Sequence, residues 1–136
     1  MKNIIFAAPF LALIITSCGE KTEAPAATEE KLGDYSALGT EPGWTVDIKG
    51  EEIAFTSQEG KKINLPVDRA KKTDAGWEIR GFSDRDNINI SITSGAECSD
   101  GMSDRKYADT VKITAGEVGT REGCGGEIIE GGDEAP

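Results

Sequence analysis

The chain has 136 residues, which suffice for one domain, and its 15 Lys and Arg against 25 Asp and Glu give a net charge of −10. This charge excludes an electrostatic affinity for nucleic acid and favours either simple solubility or a cationic partner. Because the sequence contains no histidine, a Ser-His-Asp triad, a Cys-His dyad and a histidine-rich zinc site are excluded as well.

The N-terminus has the pattern of a secretory leader. Lys2 precedes the apolar run IIFAAPFLALII (residues 4–15), which is shorter than the roughly 20 residues of a membrane-spanning helix and fits a signal-peptide core. The segment ITSC, which ends in Cys18, resembles a bacterial lipobox. The resemblance implies that residues 1–17 are a cleaved lipoprotein signal peptide and that Cys18 carries palmitate-type acyl chains. The alternative is an ordinary leader with a chance cysteine at its end.

The residue after Cys18 bears on the cellular location of the protein. Gly19, and not aspartate, follows Cys18, and by resemblance to enteric lipoproteins this implies an anchor in the outer membrane, with the protein facing the periplasm. We expect a monomer that needs no cofactor.

The chain after the leader divides into three parts. Residues 18–34 are rich in Glu, Ala, Thr and Pro, and because they have little apolar surface to bury, they are predicted to be a disordered acidic tether. Residues 131–136 are predicted to be a disordered acidic tail. The folded domain is expected between them, over residues 35–130.

Alternation of apolar and polar residues predicts that this domain consists of β-strands. Seven segments carry the alternation: Trp44–Ile48, Ile53–Phe55, Lys62–Val67, Trp77–Phe82, Asn87–Thr93, Tyr107–Ile113 and Val118–Cys124. No window outside the leader has the apolar stripe of a helix. The sequence therefore predicts an all-β fold, a small antiparallel barrel or sandwich of about seven strands.

Single residues refine this expectation. Pro66 has no N–H for a ladder and predicts an edge strand or the end of a strand, and Gly81 predicts a bulge. The core is predicted to consist mainly of the strand isoleucines and of four aromatic residues, Trp44, Phe55, Trp77 and Phe82.

The cysteines predict a covalent cross-link. If Cys18 is acylated, Cys98 and Cys124 remain, and two cysteines in a secreted domain favour a disulfide. It would close a loop of about 27 residues and contribute roughly 3.5 kcal/mol by the chain-entropy estimate. The alternative is a redox-active thiol pair, which acidic neighbours such as Glu97 and Asp100 disfavour because they suppress the reactive thiolate.

The segment CSDGMSDRKY (residues 98–107) concentrates polar side chains. Its Asp100-Gly101 pair predicts a turn. We expect no metal site, since a calcium loop needs a longer series of oxygen ligands. Ser103 has no histidine to activate it, and Lys106 as its base is the alternative. The candidate partner-binding loop comprises Ser103, Asp104, Arg105, Lys106 and Tyr107.

Three blocks of the sequence resemble one family. They are GTEPGW (residues 39–44), CSDGMSDRKY (residues 98–107) and GC (residues 123–124). They resemble the GTEPxW, CSDGMSDxxY and GC blocks of an uncharacterised family of bacterial periplasmic lipoproteins, roughly over residues 38–126. The resemblance implies a small all-β envelope domain, similar in style to META-type domains, and it supplies no catalytic residue. Gly43 departs from the aromatic residue that is usual before Trp44, which bears on the packing of that tryptophan.

The loop from Ser103 to Tyr107 also loosely resembles the loop that membrane-bound inhibitors of c-type lysozyme insert into the enzyme. Those inhibitors are small, disulfide-linked β-barrel lipoproteins, and a cationic lysozyme would be attracted to so acidic a domain. We therefore expect a non-enzymatic, lipid-anchored envelope protein with a binding or structural role. Inhibition of a c-type lysozyme is the alternative function.

Overall fold

A computed structural model of the chain describes residues 31–131. The predicted signal peptide, Cys18, the tether up to residue 30 and residues 132–136 of the predicted tail lie outside the described residues. Residues 31–34 have no regular secondary structure, but Leu32 among them is half-buried and packs against the core.

Nine strands form most of the described chain. They are β1 (Tyr35–Thr40), β2 (Gly43–Lys49), β3 (Glu52–Ser57), β4 (Lys62–Lys72), β5 (Gly76–Phe82), β6 (Asn87–Thr93), β7 (Cys98–Ser99), β8 (Lys106–Ala115) and β9 (Gly119–Glu130). A short 3₁₀ turn, Gly116–Val118, is the one helical element among residues 31–131. No helix in this range has the length and apolar character that crossing a membrane requires.

Eight of the strands close into a barrel. The strand order is β6-β5-β4-β3-β2-β1-β9-β8-β7, and an additional pairing of β6 with β8 closes the ring. All pairings are antiparallel. The two-residue β7 lies outside the ring and pairs with β8. The predicted all-β fold is confirmed, and it is a barrel of eight strands with one short additional strand.

The sequence pattern did not predict β1. Its inward positions hold Ala37 and Gly39, which are buried but too small to produce a clear apolar alternation. β1 pairs with β2 along its whole length, whereas its ladder with β9 contains two residue pairs. The β1–β9 ladder is therefore the shortest ladder in the ring.

The interior is filled by the inward side chains of successive strands, as the two-residue period predicts. Those with at most 3 % of their surface exposed include Trp44, Val46, Ile48, Ile53, Phe55, Ile63, Leu65, Ile79, Ile88, Ile90, Ile92, Val111 and Ile113. The ring centroids of Trp44 and Phe55 are 6.5 Å apart, within the range of favourable aromatic pairs. The centre of the barrel is thus a packed apolar core, and the clefts described below lie at its ends.

Two of the predicted core aromatics differ from expectation. Phe82 has 57 % of its surface exposed, and Trp77 is only half-buried. The inward positions of β5 are 77, 79 and 81, so residue 82 faces solvent by the two-residue period. The prediction that Phe82 belongs to the core was wrong. Phe82 lies five positions after Trp77, and residues separated by an odd number of positions on a strand lie on opposite faces of the sheet.

The structure also corrects the expectations for Pro66 and Gly81. β4 is an internal strand that continues well beyond Pro66, so this proline lies neither on an edge nor at a strand end. The β4–β5 ladder begins only at Val67 and Gly81, so no N–H of residue 66 is needed on that side. The bulge lies in β4, between Val67 and Arg69, and not at Gly81.

Candidate functional site

The three sequence blocks meet at one end of the barrel. β1 pairs with β2 at Trp44 and with β9 at Cys124. The hydroxyl of Thr40, the last residue of β1, donates to the backbone oxygen of Asp100 at 3.0 Å. Residues from all three blocks therefore form one cluster, which we call the disulfide end.

Trp44 holds the first and third blocks together. Its side chain is 3 % exposed. A Cβ atom on Gly39 would overlap the indole Nε1, and a Cβ on Gly123 would lie 2.7 Å from Cζ2 and overlap the carbonyl oxygen of Leu38. Glycine is required at both positions because the indole and the backbone occupy the space of a side chain. Trp44 is buried even though Gly43 stands where the resembling family has an aromatic residue.

The predicted disulfide is present. Cys98 of β7 and Cys124 of β9 are bonded, with their Cα atoms 5.3 Å apart and a sequence separation of 26. Cys124 is 1 % exposed, and Cys98 is half-buried. Since β7 pairs with β8 through only two residue pairs, the bond is a main fastening of this segment to the barrel.

Asp100 organises the loop that follows Cys98. Its Oδ1 accepts the backbone N–H groups of Met102 at 3.0 Å and Ser103 at 2.8 Å, and its Oδ2 accepts the Ser103 hydroxyl at 2.6 Å. These hydrogen bonds, chiefly the one from the Ser103 hydroxyl, lower the pKa of Asp100. Gly101 has a φ of 71°, as the predicted Asp-Gly turn requires. A carboxylate with a lowered pKa is a weak base, which makes Asp100 a poor activator of the Ser103 hydroxyl.

The residues of the predicted partner-binding loop have different environments. Ser103 and Asp104 are exposed, and Arg105 and Lys106 are half-buried. Tyr107 is 6 % exposed. The structure therefore presents the first two residues of the loop to solvent and places the last one within the domain.

Lys106 is held by two carboxylates. Its Nζ lies 2.6 Å from Oε2 of Glu130 and 3.4 Å from Oε1 of Glu97. The hydrogen bond to Glu130 is the main reason why the pKa of Lys106 is raised. This lysine therefore fastens the loop to the end of β9, and its raised pKa keeps it protonated, which makes it a poor base.

A cleft of about 480 Å³ opens beside the loop at the disulfide end. Its lining includes the carboxylates of Glu41, Asp100 and Glu122. Both oxygens of Asp100 already accept hydrogen bonds from its own loop. Within the described part of the chain, no three His, Cys, Asp or Glu side chains are grouped so that they could hold a metal ion. This cleft is therefore acidic but has no ligand set for a cation.

A larger cleft, of about 610 Å³, lies at the opposite end of the barrel. It is bordered by Leu32, by the β2–β3 turn at Gly50–Glu51 and by the last part of β4, Val67–Lys72. β1 begins near this cleft and ends with Thr40 at the disulfide end. We call it the mouth cleft.

Sequence reasoning did not find the mouth cleft. Its lining includes Arg69, Lys71 and Lys72, which belong to the run DRAKK (residues 68–72). Three cations within four positions stand out in a chain that is strongly acidic as a whole. This local charge was the feature of the sequence that could have indicated a site here. The run lies beyond the predicted end of its strand at Val67, where the apolar alternation stops.

Comparison of the chain with models of protein families, with curated proteins and with solved structures found no match.

Proposed function

We propose that the chain is a lipid-anchored lipoprotein of the bacterial envelope, held in the outer membrane by an acylated Cys18 and facing the periplasm. Its domain has a non-enzymatic binding or structural role. The observation that carries the proposal is the disulfide between Cys98 and Cys124. Structural disulfides form in oxidising compartments such as the periplasm, and this one leaves Cys18 as the remaining cysteine of the chain.

The sequence around Cys18 supports the anchor independently. The ITSC segment follows an apolar leader of signal-peptide length. Stable anchoring needs more than one acyl chain, because a single chain gives only marginal binding to a membrane. Modification by both diacylglycerol and an N-acyl group, which the resemblance to a lipobox implies, meets that need.

The geometry of the polar loop supports a role without catalysis. The Ser103 hydroxyl is donated to Asp100, whose lowered pKa makes it a weak base. Lys106 is engaged with Glu97 and Glu130. The residues of this loop that most resemble catalytic groups are thus used to hold the loop in place.

Acylation of Cys18 tests the proposal directly. In a bacterial host that processes lipoproteins, we expect intact-protein mass spectrometry to find a mature chain that begins at Cys18 and carries diacylglycerol and N-acyl groups. The variant Cys18→Ser should lose this added mass and leave the membrane fraction. The double variant C98S/C124S is the matched control and should keep it. An unacylated N-terminus on wild-type protein recovered from the envelope would overturn the proposal.

Inhibition of a c-type lysozyme is the second candidate function. The net charge of −10 and the exposure of Ser103 and Asp104 favour it. An inserting loop would also need Lys106 and Tyr107, of which the first is ion-paired and the second is buried. We therefore rank inhibition below a binding or structural role with another partner.

A further inference from the structure

One wall of the mouth cleft is built by a strand that is longer than its neighbour. The β3–β4 ladder ends at Pro66, whereas the β4–β5 ladder continues to Lys72. The β4–β5 ribbon therefore extends beyond the edge of β3. The bulge between Val67 and Arg69 lies where this extension begins, and bulges increase the bend and twist of a strand at such points.

The floor of the mouth cleft is apolar. Ile48 and Ile79 line it and are 2 % and 3 % exposed. Leu32 and Val67 also line it, and both are partly buried against the same core. The volume of about 610 Å³ falls in the range of roughly 300–1,000 Å³ typical of small-molecule sites. The cleft is thus large enough for a hydrocarbon chain and offers it apolar contacts.

The border of the mouth cleft carries an excess of positive charge. The cations that line it are Lys31, Arg69, Lys71 and Lys72. The carboxylates that line it are Glu51 and Asp68, and Asp68 is already ion-paired with Arg80. In a chain with a net charge of −10, this local excess favours an anion over a cation.

The cations approach the cleft from both faces of the ribbon. Ala70 is paired with Ile79, so Ala70 and Lys72 share the face that carries this floor residue. Arg69 and Lys71 lie on the other face and border the cleft from there. Within residues 31–131, the side chains of Arg69 and Lys71 make no hydrogen bond or ion pair, so both are available to a ligand.

From the apolar floor and the cationic border, we infer that the mouth cleft binds an anionic amphiphile: a single hydrocarbon chain with a carboxylate or phosphate head group. The chain lies along Leu32 and Val67 above Ile48 and Ile79, and the head group faces Arg69 and Lys71. A hydrophilic anion would leave the exposed parts of Leu32 and Val67 in contact with water, and a neutral lipid would leave Arg69 and Lys71 without a counter-charge. This inference rests on the proposed binding role of the domain and names its ligand class.

Isothermal titration calorimetry tests the ligand class. The protein is the chain of residues 18–136 with Cys18→Ser, so that no acyl group of its own competes for the cleft. Dodecyl phosphate, dodecyltrimethylammonium and inorganic phosphate are compared below the concentrations at which the amphiphiles form micelles. We expect dodecyl phosphate to bind at least about tenfold more tightly than either of the others.

Three results of this titration would overturn the inference. They are a lack of binding by dodecyl phosphate, equal affinity for the two amphiphiles, and equal affinity for inorganic phosphate and dodecyl phosphate. The last result would mean that the cations bind an anion without help from the apolar floor.

Variants locate the site. Reversing two border charges in R69E/K71E should weaken binding of dodecyl phosphate about tenfold. The matched control K62E/R85E makes the same change in net charge at exposed positions outside the cleft and should leave the affinity within about twofold. Ala70→Trp, on the face of the ribbon that carries Ile79, should fill the cleft and abolish binding. Equal weakening by the two double variants, or unchanged binding by Ala70→Trp, contradicts the assignment.

The titration and the acylation experiment test separate claims, so a negative result in one does not imply a negative result in the other. Binding is measured on a chain that lacks the acylated cysteine, so an unacylated native protein does not affect it. Conversely, a cleft that binds no amphiphile would not contradict the proposed acylation of Cys18 or the proposed location in the envelope.

Discussion

At the scale of single residues, the polar block that follows Cys98 serves the fold. Asp100 accepts three hydrogen bonds through its carboxylate and one from Thr40 through its carbonyl oxygen. The Ser103 hydroxyl donates to Asp100 and accepts the N–H of Arg105 at 3.2 Å. The density of aspartate and serine in this block therefore reflects the number of backbone groups that a tight loop must satisfy.

The pKa of Asp100 makes this role measurable. Because the pKa is lowered in the folded state, the carboxylate stabilises the fold at neutral pH, and this contribution is lost as the pH falls through the folded-state pKa. We expect Asp100→Asn to melt a few degrees below the wild type at pH 7. The difference should shrink as the pH is lowered below the ordinary value of 3.8, as followed by circular dichroism.

Asp104→Asn is the control for this measurement, since Asp104 is exposed and belongs to the same loop. It should melt like the wild type at both ends of the pH range. A deficit of Asp100→Asn that stays constant with pH would mean that its carboxylate charge contributes nothing.

At the scale of elements, the barrel depends on how β1 meets β9. Their ladder contains two residue pairs, and backbone hydrogen bonding alone gives such a short contact little stability. The neighbouring Trp44 indole packs against Gly39 of β1 and Gly123 of β9. The disulfide at Cys124 anchors the same part of β9. Close packing and a covalent bond therefore reinforce the ring where its ladder is shortest.

Gly123→Ala tests this packing. Its Cβ would overlap the Leu38 carbonyl oxygen and lie 2.7 Å from Cζ2 of Trp44, so β1 and β9 would have to move apart. We expect urea denaturation to show a loss of about 1–3 kcal/mol in the free energy of unfolding. Gly33→Ala is the control, because no atom lies within 4 Å of its Cβ. If the two variants unfold at the same urea concentration, close approach at Gly123 does not stabilise the barrel.

At the scale of the whole molecule, the two ends of the barrel differ in the charge that lines their clefts and in the hydrogen bonds and ion pairs of their polar side chains. The cleft at the disulfide end is lined by Glu41, Asp100 and Glu122, and its loop is held by internal hydrogen bonds and ion pairs. The mouth cleft has a cationic border over an apolar floor. A cationic protein would therefore be attracted to the disulfide end, and an anionic small molecule to the mouth.

This polarity yields a prediction for lysozyme. A cationic lysozyme would be steered to the disulfide end, but Lys106 is ion-paired and Tyr107 is buried there, so this basic-aromatic pair is not free to enter an active site. We expect the unacylated chain with Cys18→Ser to leave the initial rate of a c-type lysozyme unchanged at micromolar concentration. Inhibition that Lys106→Ala abolishes, and that Lys112→Ala retains, would establish the second candidate function instead.

Much of the fold follows from local rules that a sequence displays directly. Successive side chains of a strand point to opposite faces, so the isoleucines at 88, 90 and 92 predicted β6 and its buried face, which the structure confirms. The same rule applied to β5 would have placed Phe82 outside. The pairing of Cys98 with Cys124 was predicted from the number of cysteines and a secreted context, without knowledge of their positions in space.

Closure of the barrel and the position of both clefts were decided only by the tertiary structure. The β6–β8 and β1–β9 ladders join segments far apart in the chain, and no local pattern distinguishes a closed ring from a sandwich. The mouth cleft arises because β4 continues past β3 while Leu32 and Ile79 converge from distant segments. Side-chain alternation is a property of a few neighbouring residues, whereas a ring and a cleft are properties of strands that meet only after folding.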